Sequence, residues 1–250
     1  MDQDKLRLWL NEAWQYALII IAVVVLRTLI GQPFYVPSGS MEPTLQIGEE
    51  LIASKFPYGL SRYSVPFDLA PASDQRLFGS LPKRGDVVVF RLPRDPDVVY
   101  VKRVVGLPGD HLRMDAGHLV INGETLPLAD DGPDEMEVQT GMKVPARRLI
   151  ETLPGGVQHP ILKVTWSGPL DNIPELTVPE GMLFMMGDDR DNSLDSRVPA
   201  SQGGVGFVPL ENLVGRAEVI IGSWDLTLAD KPASEWLGGL RLSRFFNRVK

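Results

Sequence analysis

The run Val98-Val-Tyr-Val-Lys-Arg-Val-Val105 decides the reading of this chain. It is built of β-branched and aromatic residues, which fit a pleated, half-buried surface. A period of two puts Tyr100, Lys102 and Val104 on one face and Val99, Val101, Arg103 and Val105 on the other. Outward from it lie more short runs of the same kind: Leu51–Ser54, Asp86–Phe90, Leu119–Ile121, Leu183–Met186 and Ala217–Ile221. Glycine and proline punctuate them, as in Pro108-Gly109, Asn122-Gly123 and Pro154-Gly155-Gly156. The segment His118–Glu124 reads as a strand entering a tight turn, because Asn-Gly tolerates positive φ. Beyond the N-terminal segment no amphipathic helix of 12 or more residues stands out. The pattern predicts a mostly β fold, a barrel or a sandwich. The acidic stretch 129–137 (ADDGPDEME) reads as a solvated loop, and residues 113–177 as an inserted β subdomain without a chemical constellation.

The N-terminus differs from all of this. Ala17–Leu26 is uninterrupted apolar, and the span from 13 to 30 extends it to 18 residues. As a helix this gives about 27 Å at ~1.5 Å per residue, slightly short of the roughly 30 Å of a bilayer core. Trp9, Trp14 and Tyr16 suit one interface, and Arg27 can snorkel at the other. A cleavable leader and a buried core helix compete with a transmembrane anchor, but RTLIGQPF offers no small-x-small cleavage site. Lys5 and Arg7 precede the helix, which places residues 1–12 in the cytoplasm and everything after residue 32 outside it. The expected organisation is a transmembrane helix at 13–30, a catalytic β domain from 31–112 and 178–250, and the insertion at 113–177.

Composition narrows the function. A net charge of -7 and a pI near 5.1, with no Lys/Arg stripe, argue against nucleic acid as the main partner. The absence of cysteine removes disulfides and thiolate metal sites. His111, His118 and His159 show no ligand spacing and read as ordinary surface or strand residues. No cofactor and no metal are expected.

Three segments carry reactive groups. Ser38-Gly-Ser40 sits between Pro37 and Pro43, which stiffen the turn and suit it to presenting a nucleophile, though Ser-Gly-Ser is common in plain loops. Lys102 lies between apolar or aromatic neighbours on its strand face. If that face is buried, desolvation lowers its pKa; if not, it is a snorkelling strand lysine. Gly187-Asp-Asp-Arg-Asp-Asn-Ser-Leu-Asp-Ser-Arg197 crowds acids as a metal loop would, but Arg190 and Arg197 fit a charge-paired structural loop better.

Taken together these segments resemble the ordered motif set of bacterial type I signal peptidases (leader peptidases), in the form found in Gram-negative bacteria. The motifs are PSGSMEPT at 37–44, RGDVVVF at 84–90, YVKRVVGLPGD at 100–110 and GDDRDNSLDSR at 187–197, with NLVGRA at 212–217 and GLRLSR at 239–244 beyond them. The resemblance implies a membrane-bound serine endopeptidase of the inner membrane, its catalytic domain on the periplasmic side. It would remove signal peptides from exported preproteins after small-x-small (Ala-x-Ala) sites, through an acyl-enzyme. It implies Ser40 as nucleophile, Lys102 as general base, Ser38 as oxyanion donor and Ser193 as the group orienting the lysine. Asp195 and Arg197 would be a supporting ion pair and Tyr100 a residue lining the site. Phe34, Val36 and Met41 are the expected apolar wall for substrate. The chain departs from the pattern at Asp189, where Asn is expected, and in a longer step at 198–206. Expected partners are signal peptides and membrane lipid, which Trp224 and Phe245-Phe246 could also touch, and oligomeric state is not readable. The reading from another class is a non-catalytic, membrane-tethered β module that binds peptides.

Overall fold

The structure is a computed structural model describing residues 3–29, 31–64, 76–139, 141–228 and 231–250. A helix α1 (Gln3–Leu29) leads into strand β1 (Gly31–Tyr35), a tight turn carrying Ser40, and β2 (Glu49–Ser54). A hairpin follows, β3 (Val87–Leu92) and β4 (Asp95–Gly106). Next come β5 (His111–Asp115), β6 (His118–Ile121), β7 (Glu124–Thr125), β8 (Leu128–Gln139), β9 (Met142–Thr152), β10 (Gln158–Lys163) and β11 (Ile173–Thr177). The chain then returns through β12 (Met182–Met186), β13 (Val208–Pro209) and β14 (Leu213–Ser223). Helix α2 (Ala233–Trp236) is a single turn, so no long helix follows the N-terminal one among the described residues.

The largest sheet has seven strands in the order β1-β2-β14-β3-β4-β12-β13. It stays open: β1 is one edge and the two-residue β13 the other, and among the described residues no sheet closes into a barrel, which corrects the barrel alternative. β4 holds an inner position. Val88 pairs with Lys102, Val87 with Arg103, and on the other side Met186 pairs with Arg103. From Lys102 onward β4 is buried on both faces. Its apolar residues belong to separate parts of the core: Val104 packs with Val88, Phe90, Leu183 and Met185, and Val105 with Leu112, Leu119, Phe184 and Met186. Each such side chain contributes about 1.5–3 kcal/mol by leaving water, which fixes the register on which the site depends.

Two smaller sheets, β11-β5-β6-β7 and β10-β9-β8, are built from the intervening chain. The turn at Asn122-Gly123 has both residues at positive φ (53° and 84°), as the Asn-Gly pair predicts. The acidic stretch 129–137 is not a loop. It lies within β8, paired antiparallel with β9. Arg147 pairs with Asp130, Arg148 with Asp131 and Asp134, and Lys143 with Glu135, all on the exposed surface of the hairpin. The end of β10 is tied to the 187–197 loop: Leu162 N–H donates to the Asp188 carbonyl (2.9 Å) and Arg190 N–H to that of Leu162 (3.1 Å).

Helix α1 takes in 13–29 of the expected 13–30 span, Ile30 lying outside the described residues, and Trp9, Trp14, Tyr16 and Leu18–Ile21 are exposed along it. Among the described residues no helix is long and apolar enough to cross a membrane. The clean apolar run is short, and the side chains of Lys5 and of residues 25–30, including Arg27, lie outside the described residues.

Candidate active site

Two strand ends and one loop meet at Ser40. The turn after β1 is pinned by Val36 N–H to the Glu49 carbonyl (2.8 Å) and Gly48 N–H to the Val36 carbonyl (3.0 Å). Gly39–Met41 forms one short 3-10 turn whose three residues are buried. β4 brings Lys102 up from beneath. Its ammonium nitrogen donates to Ser40 Oγ at 2.5 Å and to the Val101 carbonyl at 3.1 Å. Lys102 is only 3% exposed, and among the described residues no carboxylate lies within the 4.0 Å of a salt bridge. Burial therefore dominates and lowers its pKa to about 8, against the weaker pull of Asp195 and Asp188.

Ser38 Oγ lies 3.3 Å from Ser40 Oγ. Ser193 is buried beside them; its hydroxyl does not engage the Lys102 amine, which is held by Ser40 and Val101, but helps to hold the Asp195 carboxyl down. β12 ends at Met186, level with Arg103, and so delivers Gly187 and the acidic loop against the Ser40 turn. The approach is close. A Cβ on Gly187 would fall 2.2 Å from Ser193 Oγ and 2.4 Å from the Ser40 carbonyl, so only glycine fits.

The loop is charge-paired, partly within itself and partly with groups from elsewhere. Asp195 and Arg197 form a fully buried bidentate pair (Nε–Oδ1 2.9 Å, Nη2–Oδ2 2.8 Å). Burial pushes Asp195 up, but the Arg197 guanidinium outweighs it and holds the carboxyl below its usual range. Asp188 is gripped by Arg103 (Nε–Oδ1 2.8 Å, Nη2–Oδ2 2.6 Å). Arg190 pairs with Glu151 of β9, and Lys163 of β10 with Asp171 and Asp191. His159 is buried between Glu151 (3.2 Å) and Asp188 (3.4 Å). So the intervening strands do carry a constellation, and His159 is an interior member of it rather than a surface residue. Alternation marks Arg103 only as lying opposite Lys102; Asp188, Glu151 and His159 meet it through long-range packing that no local pattern signals.

An open cleft of about 670 Å³ runs past Ser40 and Lys102. Phe34, Val36 and Tyr100 line it, with Leu51, Ser193 and Leu194. The Tyr100 ring centroid stands 5.4 Å from the Lys102 nitrogen. Met41 is not on this wall; it is fully buried in the core with Val36, Leu45 and Leu51. Trp224 is 40% and Phe246 76% exposed, and both edge against Phe245. Chemically, the arrangement offers a hydroxyl hydrogen-bonded to a desolvated amine, at the floor of a groove beside an edge strand.

Comparison with known proteins is consistent with that chemistry. A family described as signal peptidase, peptidase S26, matches residues 9–224. Signal peptidase I of Rickettsia akari is 36% identical, with 96% of this chain and 92% of the relative covered. The Rickettsia prowazekii protein of the same name is 37% identical over 96% of this chain and 93% of its own length. A crystal structure of a signal peptidase I from Enterococcus faecalis V583 is 26% identical and covers 55% of this chain and 97% of its own. Its TM-score is 0.31, too low for the superposition to carry an argument.

Proposed function

The chain belongs to the peptidase S26 family of signal peptidases and is a serine peptidase, and on that premise we propose that Ser40 is its nucleophile and Lys102 its general base. The observation that carries the reading is the 2.5 Å hydrogen bond between Ser40 Oγ and a buried lysine that has no ion-pair partner among the described residues. Neutral Lys102 accepts the Ser40 proton as Oγ attacks the scissile carbonyl. The Ser40 amide and the Ser38 hydroxyl stabilise the oxyanion. Lys102 then protonates the departing amine, leaving an acyl-enzyme, and as a base again activates the water that hydrolyses it. Ser193 holds the amine on course once substrate is bound. The Asp195–Arg197 pair keeps the loop behind it rigid.

The substrate is the signal peptide of an exported preprotein, extended beside β1. That strand is a sheet edge whose outer backbone groups are free to pair with a peptide, and Phe34 and Val36 place apolar surface where small side chains before the cut would sit. Small-x-small specificity fits shallow pockets of this kind. Helix α1 seats in the inner membrane with the cleft on the periplasmic side. The exposed Leu18–Ile21 face supports this, as does the start of β1 at Gly31, only two positions after the helix ends at Leu29. Residues 113–177 are an insertion in the catalytic domain, supported by the two sheets that this part of the chain builds.

The test is cleavage of a preprotein carrying an Ala-x-Ala site by detergent-solubilised protein, with products located by mass spectrometry. A cut directly after the second Ala, absent in Ser40→Ala and Lys102→Met variants that remain folded, is the expected result. Folded wild type that cuts none of several preproteins up to alkaline pH contradicts the reading and favours a peptide-binding module.

A further inference from the structure

Within the 187–197 loop, Asp188, Asp191 and Asp195 are each held by a cation, whereas Asp189 is not. Asp189 is fully buried. Its Oδ1 accepts the Asn192 amide N–H (3.2 Å), the Asn192 side chain also eases its charge, and its Oδ2 makes no hydrogen bond among the described residues. A second buried carboxyl, Glu42, lies against the same turn. Among the described residues its carboxyl accepts one hydrogen bond, from the Glu137 amide N–H (3.2 Å) on β8. Among the described residues neither carboxyl has an ion-pair partner within 4.0 Å, the reach of a salt bridge.

The two carboxyls hold the Ser40 turn between them. Glu42 packs beneath Gly39, where an added Cβ would stand 3.2 Å from its carboxyl carbon. Asp189 hangs on the other side, its amide N–H donating to the Ser40 carbonyl at 3.3 Å. The charges around them are mixed. Glu42 faces Glu137 on β8, with Lys143 on β9 and Arg241 of the C-terminal segment as weaker counter-charges. Asp189 faces Glu42 and Asp191. The field of Asp189 also reaches Lys102, beside those of Asp188, Asp195 and Arg197. Burial is the main force on each acid, and it pushes both up to about 7; the Glu42 charge adds to the push on Asp189.

We propose that Glu42 and Asp189 are a positioning pair for Ser40: neutral, they pack the turn, and their ionisation loosens it and closes the alkaline end of the enzyme's working range. The proposal rests on Ser40 being the nucleophile. A buried carboxylic acid with one unpartnered oxygen is far cheaper than a buried carboxylate in the same place. Once both ionise, two like charges press on a turn where, among the described residues, no cation stands in salt-bridge contact with either and Lys143 and Arg241 offset Glu42 only weakly, and the pair titrates as a unit. The chain between them is the segment that sets Ser40 Oγ against Lys102. A displacement of about 1 Å there costs ~10²-fold in rate. The two titrations then oppose each other. Rising pH frees the Lys102 amine and disturbs the turn, giving a bell with a narrow top.

The experiment compares kcat/KM from pH 6 to 10 for wild type, Asp189→Asn and Glu42→Gln on a peptide substrate. In parallel, melting temperatures are followed over the same range with each substitution placed in Ser40→Ala protein. The ratio of Asp189→Asn to wild-type kcat/KM should climb about tenfold or more between pH 7 and pH 9, as the neutral amide removes the falling limb. The folded-state pKa values are raised, so the pair's stabilising contribution is full below the unfolded carboxyl range and is lost as pH rises through about 7. The melting temperature of the Asn variant should therefore gain on its parent as pH rises. A ratio and a melting difference that are both flat with pH overturn the proposal. Glu42→Gln gives the same readout should Asp189→Asn fold poorly. Full activity in Ser40→Ala would instead sink the nucleophile reading, while the melting series would still report whether the pair ionises.

Discussion

Lys102 and Arg103 are neighbours on one strand, both cations and both buried, yet they sit in opposite kinds of surroundings. Arg103 meets Asp188 through two hydrogen bonds and also donates to the Gly85 carbonyl (2.7 Å) and to Thr44 Oγ1 (3.2 Å). Lys102 meets a hydroxyl, a carbonyl and an aromatic ring. The Arg103 side is a closed account of charge, and the Asp188 carboxyl is held well below its usual range by that guanidinium despite burial. The Lys102 side is left with a deficit, and the deficit appears as a lowered pKa. One strand thus separates a face that supplies rigidity from a face that supplies reactivity.

The contrast can be broken from either side. The largest effect is expected from Lys102→Met, which should lower kcat/KM by about 10³-fold or more in a peptide-cleavage assay, a loss typical of removing a general base. The same substitution should not cost stability. The folded-state pKa of the lysine is depressed, so the unfolded chain binds the extra proton and wild type is penalised below about pH 8, a penalty that fades toward pH 10.5. Lys102→Met should accordingly be the more stable protein at neutral pH, by up to about 3 kcal/mol, in urea denaturation. Arg103→Met should behave in the reverse way. Removing one partner leaves Asp188 charged and buried, and a loss of about 3–5 kcal/mol is expected in the same measurement. Equal stability effects at the two positions would dissolve the distinction. The smallest effect sharpens it from outside. Arg147→Ala breaks a pair that is about half exposed on the β8–β9 hairpin (53% and 55%), and should move the unfolding free energy by less than ~0.5 kcal/mol.

These same neighbours show what a sequence can and cannot say. The strand around Lys102 was legible because β-branched residues alternate with it, and all of the apolar runs read as strands are strands. Ser40, Lys102 and the 187–197 loop were legible as motifs, and the structure brings them together. The acidic strand β8 was not legible. Its register is held largely by a hairpin partner and by cations on that partner, so it lacks the apolar alternation that marks a half-buried strand. Met41 looked like a wall residue because it adjoins Ser40, but the 3-10 turn sends it into the core. His159 and Glu151 carried no local signal, since their meaning comes from Arg190 and Asp188, which are close only after β10 docks on the loop. Asp189 was visible as an oddity in its motif, and only burial shows that it lacks a counter-charge.

The most direct measurement is the titration of the Lys102 amine itself, followed by NMR of wild-type protein with ¹³Cε-labelled lysine, its resonance assigned by loss in Lys102→Arg. A midpoint near 8 is the predicted result. A midpoint above 10, as in a lysine exposed to water, would contradict the claim that burial without a counter-ion makes this amine the base.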